Sequence, residues 1–198
     1  MTNVDADLRR MPGRPRSIEA DAAILQATIE LFADSGYEGL TVEGVAARAG
    51  VSKATVYRRY PGKVELVVAA CRAYADVTRA APDSGSLRGD VRALVENLVA
   101  MLTTTPVGRV MPMLVADRAR VPELDAEQRA VVREKRDRYL AVVEHAATRD
   151  ELRPGVDPEL VVDACVGPVF YRFLVSRAPL DGAFVDGLVD AVVHAFER

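Results

Sequence analysis

The sequence predicts an all-α protein of about nine helices in two parts, a three-helix N-terminal unit and a larger helical body. Apolar residues recur at helical spacing almost throughout, and no run of β-branched residues alternates with period 2. Proline, glycine and capping residues punctuate the periodic stretches at helix-length intervals. With 198 residues, 49% apolar and 28% charged, the chain can bury a sizeable core, and global disorder is excluded.

The elements follow in order. Ile24, Leu25, Thr28, Ile29 and Phe32 define a first helix that Gly36 stops. Thr41 is placed to cap a short second helix, Val42 to Ala49. Gly50-Val51-Ser52 makes a tight turn, and Ser52 caps a third helix from Lys53 to Tyr60, which Pro61-Gly62 breaks. A fourth helix runs from Lys63 towards Arg79, with Leu66, Val67, Ala70 and Tyr74 on one face. Residues 81–86 (Ala-Pro-Asp-Ser-Gly-Ser) read as a linker. Val91, Leu94, Val95, Leu98, Met101 and Leu102 mark the fifth helix, which Pro106 ends, and a shorter one carrying Pro112 follows. Pro122 opens a long charged helix to Thr148, in which the six charged residues Arg133 to Arg138 read as a solvated face. Asp157-Pro158 starts the next helix. Its stretch from Leu160 to Val175 is apolar nearly all round and must be covered on every side, by the chain's own core or by a second copy across a two-fold interface. The last helix, Ala183 to Glu197, carries one apolar stripe.

The net charge of −3 excludes a protein that is basic all over, but its distribution is uneven. Leu8 to Arg16 holds four Arg and no acid, and Val45 to Val64 holds Arg48, Lys53, Arg58, Arg59 and Lys63, again with no acid. Local basic patches ahead of a more acidic body are the electrostatic footprint of nucleic-acid binding, although charge runs are also solvated helix faces. No stretch is long and apolar enough to span a membrane, the N-terminus lacks the apolar run of a secretory signal, and Cys71 and Cys165 make no disulfide framework. These features predict a cytoplasmic protein. No metal or other cofactor is expected: His145 and His194 stand apart, and there is neither a phosphate-cradling glycine loop nor a nucleophile elbow. The two cysteines, set among apolar residues, read as structural thiols.

Ala46 to Lys63, A-A-R-A-G-V-S-K-A-T-V-Y-R-R-Y-P-G-K, has the physics of a helix-turn-helix. Val45, Ala46, Ala49, Val51 and Val56 pack two short helices together. The second projects Lys53, Ala54, Thr55, Tyr57 and Arg58 over ~12 Å, which fits a major groove ~12 Å wide.

Residues 20–70 resemble the N-terminal DNA-binding domain of TetR-family transcriptional regulators. The matching residues are Ile24-Leu25 with Ala27, Leu31-Phe32, Gly36-Tyr37, Thr41-Val42, Val45-Ala46, Ala49-Gly50-Val51-Ser52, Thr55-Val56-Tyr57, Tyr60 and Lys63 to Leu66. Tyr60 stands where the family commonly has Phe, and Gly62 where it often has Ser. Leu152-Arg153-Pro154, Asp157-Pro158-Glu159-Leu160, Gly167-Pro168, Tyr171-Arg172 and Pro179-Leu180-Asp181 resemble a common C-terminal subtype of the same family. The resemblance implies a flexible basic arm (1–16), a helix-turn-helix domain (17–63) and a helical effector-binding and dimerisation domain (64–198, with 64–80 as connecting helix). Its dimer would be built on the last two helices. That favours the second-copy reading, with Val162, Val169, Phe173, Phe184, Leu188, Val192 and Phe196 at the interface.

The resemblance also distributes roles. Thr41, Ser52, Lys53, Thr55, Tyr57, Arg58 and Lys63 are expected to meet phosphates or base edges. Arg14 and Arg16, in Gly-Arg-Pro-Arg, suit either an arm in an A·T-rich minor groove or a basic tail with general phosphate affinity. Met101, Met111, Met113, Tyr139, His145, Phe170, Tyr171 and Arg172 are the expected effector-binding residues, each with plain core packing as the alternative. The implied function is a homodimeric repressor that leaves a palindromic operator when a small molecule binds. An architectural or activating DNA-binding protein without an effector is the alternative, and no enzyme activity is expected.

Overall fold

The computed structural model describes residues 15–75 and 81–198, with side chains at 18–74 and 81–198. The chain runs α1 (Pro15–Gly39), α2 (Val42–Arg48), α3 (Lys53–Arg59), α4 (Lys63–Ala75), α5 (Leu87–Thr104), α6 (Pro106–Arg118), α7 (Pro122–Thr148), α8 (Pro158–Phe170) and α9 (Gly182–Phe196). Among the described residues there is no strand, only an isolated bridge between Leu152 and Glu197. No single described helix is long and apolar enough to cross a membrane.

Local chemistry sets most boundaries. Thr41, Ser52, Ser86, Thr105, Asp157 and Asp181 each cap the following helix by accepting a backbone N–H. Pro106, Pro122 and Pro158 open their helices, where the missing N–H is no loss. Gly36 breaks α1 near its end, at φ 66°, a backbone region that favours glycine. That break turns the Tyr37 N–H towards α6, where it donates to Asp117 Oδ2 at 3.0 Å.

Two apolar cores result. The first gathers Ile24, Phe32, Val45, Val56, Leu66 and Val67 from α1 to α4, and is closed by Val110 and Leu114 of α6 with Leu124 and Val131 of α7. Packing therefore does not divide at residue 63: α4 and parts of α6 and α7 belong to the N-terminal core. The second core packs α5, α7, α8 and α9 through residues such as Val95, Leu98, Val143, Val162, Val169 and Val189. At its upper end the fully buried Asp90 carboxylate takes the Ser84 N–H and the Arg149 guanidinium, the latter at 2.8 Å. Arg149 also reaches Asp83 and Glu151, so residues 83–90 are tied to the end of α7.

Several expectations need correction. The helix expected from Leu160 through Val175 is α-helical only to Phe170, and a π-helical turn, Tyr171–Ser176, follows. Pro168, which lacks an N–H and crowds the carbonyl one turn back, lies within the α-helical part, two residues before its end. Four of the expected interface residues, Val162, Val169, Leu188 and Val192, lie inside the chain's own core. Phe173, Phe184 and Phe196 are half-buried against that core. Of the expected arm, Pro15 and Arg16 form the first turn of α1, and residues 1–14 lie outside the described residues. So does the stretch 76–80 of the connecting helix.

Candidate nucleic-acid interface

The turn between α2 and α3 is built as its residue types require. Val42, Val45 and Ala46 are buried on α2, and Val56 is the buried residue of α3. Gly50 sits at φ 66°, which allows the chain to reverse between them. Thr41 Oγ1 accepts from the Gly44 N–H at 3.0 Å, and Ser52 Oγ accepts from the Thr55 N–H at 3.2 Å. The Ser52 and Thr55 hydroxyls also bond each other at 2.9 Å. These caps fix α3, seven residues long, by its first turn.

With Val56 turned inward, helical spacing sends Lys53 and Tyr57, and Ala54 and Arg58, to the solvent side. Lys53, Ala54 and Arg58 are exposed, and Tyr57 is 48% exposed although it is a large aromatic. Tyr60 behaves differently. It is half-buried, and its hydroxyl donates to Asp21 of α1 at 2.8 Å. Burial, followed by that hydrogen bond, pushes its phenol well above the usual tyrosine range. Tyr60 thus anchors the end of α3, as its aromatic body suggests.

The two lysines are held in different ways. Lys53 forms an exposed ion pair with Glu43 of α2, and the hydrogen bond it donates to that carboxylate raises the lysine's pKa. Lys63, at the start of α4, lies 4.2 Å above the Tyr37 ring and donates to the Glu38 carbonyl at 3.4 Å. Burial lowers its pKa. The structure therefore brings Thr41, Ser52, Lys53, Thr55, Tyr57 and Arg58 together on α2 and α3, with Lys63 at the start of the next helix. Arg14 and the Arg16 side chain fall outside the described residues. Glu43 and Tyr37, the partners of the two lysines, escaped sequence reasoning because neither is at helical spacing from its lysine.

A second site lies in the body. A cavity of about 300 Å³ opens among α5, α6, α7 and α8, lined by Leu98 and Leu114 and by four of the residues singled out in the sequence, Met101, Met111, Tyr139 and Phe170. Its polar lining is Arg118, Gln128, Lys135 and Arg136. Lys135 and Arg136 belong to the charged stretch expected to be wholly solvated, which corrects that reading: both are half-buried and face the cavity wall. Four expected effector residues are elsewhere. Met113 packs with the N-terminal core beside Gly36. His145 Nδ1 lies 4.0 Å from Asp83. Tyr171 is 60% exposed, and Arg172 donates to the Pro179 carbonyl while stacking 4.2 Å from the Phe184 ring. The described residues contain no cluster of ligating side chains fit to hold a metal ion.

A capped, solvent-facing helix bearing Lys, Tyr and Arg after a tight turn defines a helix-turn-helix DNA-binding protein. Comparison with known proteins agrees. Residues 24–70 match the bacterial regulatory proteins of the tetR family, and residues 81–192 match the tetracyclin repressor-like C-terminal domain. The HTH-type transcriptional regulator YdeS of Bacillus subtilis is 31% identical over 93% of this chain and 92% of its own length. The DNA-binding transcriptional repressor TetR of Mycobacteroides abscessus is 32% identical over 89% of this chain and 93% of its own. The crystal structure of the TetR family transcription regulator SCO0332 superposes with a TM-score of 0.67 at 31% identity, covering 89% of this chain and 97% of that one. The chain belongs to the tetR family: it is a DNA-binding transcriptional regulator, not an enzyme.

Proposed function

We propose that this regulator is a cytoplasmic homodimeric repressor that releases a palindromic operator when a small molecule enters the cavity between α5 and α8. The observation that carries the DNA reading is the outward face of α3, where Lys53, Tyr57 and Arg58 stay accessible while Val56 and Tyr60 fasten the helix from behind. Two such helices, ~34–36 Å apart in a two-fold dimer, would enter successive major grooves. Ser52 and Thr55 act chiefly as the cap that aims this helix, with Thr41 and Lys63 toward the flanking phosphates.

The dimer face is the outward side of α8 and α9. Leu160 is 55% exposed there and Tyr171 60%, beside the exposed Gly167, Ala183, Gly187 and Ala191. Large apolar side chains beside small ones on one uncovered face suit close packing against an identical helix pair. A Cβ on Gly187 meets nothing within 4 Å inside the chain, so a large side chain there disturbs only a partner.

The test is selection of bound duplexes from a random DNA pool by the purified protein. A palindrome of two half-sites is expected. Single half-sites, or no enrichment after removal of any co-purified ligand by unfolding and refolding, would overturn the reading. Gly187→Arg is expected to yield a folded monomer with weakened operator binding.

A further inference from the structure

The cavity among α5, α6, α7 and α8 has a chemical signature beyond its apolar walls. Gln128 is 5% exposed, lines the cavity, and its Nε2 has no hydrogen-bond partner. A buried amide N–H left without an acceptor is costly, and natural structures keep such a group chiefly where something else satisfies it. The charges around it point the same way. Arg118, Lys135 and Arg136 line the cavity, and among the described residues no aspartate or glutamate does. The two arginines are paired to carboxylates that stand outside it: Arg118 to Asp125 at 2.8 Å, and Arg136 to Asp163 at 2.7 Å and to Glu159. Lys135 Nζ reaches the cavity wall, where it lies 3.4 Å from Met101 Sδ. The Lys135 charge is also felt at the buried Cys71 thiol.

We propose that the ligand of this cavity is an apolar monocarboxylic acid, its carboxylate accepting from Gln128 Nε2 and paired with the Lys135 ammonium. Its hydrocarbon body lies against Met101, Met111, Tyr139 and Phe170. A volume of about 300 Å³ is at the small end for ligand sites, so the acid is compact. Val115 and Val132, the half-exposed members of the lining, mark the mouth through which it enters. A cationic amphiphile finds no carboxylate in the wall to pair with and must sit beside positive charge. This deepens the effector reading above and rests on it only for the consequence at the operator.

Decanoate, 1-naphthoate, decanol and decylamine, titrated calorimetrically into the full-length protein at low salt, test the chemistry. Both carboxylates are expected to bind at least tenfold more tightly than decylamine, with decanol between. Gln128→Leu and Lys135→Met should each weaken the carboxylates at least fivefold and leave decanol nearly unchanged. Gln128→Leu without ligand should melt at or above the wild-type temperature, because it removes an unpaired buried donor. Decylamine binding as well as the acids, both variants binding them like wild type, or none of the four binding at millimolar concentration would each overturn the proposal. Release of a selected operator is read separately. Carboxylate binding that leaves operator affinity untouched refutes the effector reading of the cavity while the ligand chemistry stands.

Discussion

Gly108 sits where α6 leaves α5 at a bend of 88°, and among the described residues it is the glycine with the least room. A Cβ built on it would lie 1.8 Å from the Leu102 carbonyl oxygen and 2.8 Å from the Leu102 carbonyl carbon. Carbon and oxygen approach comfortably to about 3.3 Å, so Gly108→Ala must separate the two helices by about 1.5 Å at this point. The obstacle is backbone and cannot rotate away. If α6 swings about Thr105, a rise of 1.5 Å per residue puts Leu114 three times farther from the pivot than Gly108. The displacement there grows to roughly 4–5 Å. Leu114 is buried in the N-terminal core and also lines the cavity, and the Asp117 bond to Tyr37 lies one turn beyond it. Losing the packing of such a leucine costs about 2–5 kcal/mol, against which alanine's better helix propensity returns about 1 kcal/mol. The expected net loss is about 1–4 kcal/mol. Urea unfolding followed by far-UV circular dichroism, at two protein concentrations to account for dimerisation, measures it. A variant within about 0.5 kcal/mol of wild type would refute the claim that the α5–α6 elbow is this tight.

Three further outcomes are expected. Asp90→Asn, which leaves Arg149 without its buried partner, should destabilise the protein by about 2–3 kcal/mol, moderated because the arginine is partly exposed and keeps Asp83 and Glu151. Burial pushes the Asp90 carboxyl up, but the Ser84 backbone and side chain and Arg149 outweigh it and hold it below the usual range. Its contribution is therefore whole above the unfolded value of about 3.9 and is lost as pH falls through the lower folded value, so stability between about pH 5 and 2 should depend less on pH in the variant. Glu43→Gln should tighten operator binding and steepen its log–log salt dependence by about 1, since it releases Lys53 for a phosphate and removes an acid from the DNA-facing side; an unchanged slope in fluorescence anisotropy would place Lys53 away from the backbone. Burial raises both cysteine thiols to about 12 from an ordinary 9.0, so Ellman's reagent should react with the native protein roughly a thousandfold more slowly than with the unfolded chain.

The sequence by itself determined the helices and the architecture of the DNA-reading unit. Periodicity, cap residues and breakers are local properties, written within a few residues of where they act. Thr41, Ser52 and Gly50 could be read directly into a helix-turn-helix. What only the tertiary structure decided was which face of each helix meets which neighbour. Val162 and Val169 looked available for a partner because an all-round apolar helix has no face marked inward, and Leu188 and Val192 because an apolar stripe does not say whether it meets its own chain or a second copy. In the folded chain they fill its own core, and Leu160, Gly167, Tyr171 and Gly187 remain outside. Met113 and Met111 are two residues apart, yet only Met111 reaches the cavity, since that separation turns a helix by about 200°. Gln128, Lys135 and Arg136 lay in a stretch whose composition spoke only of solvent. Their approach to the cavity depends on α5 and α8 closing over the other side of α7, and such long-range packing leaves no local mark in the order of the residues.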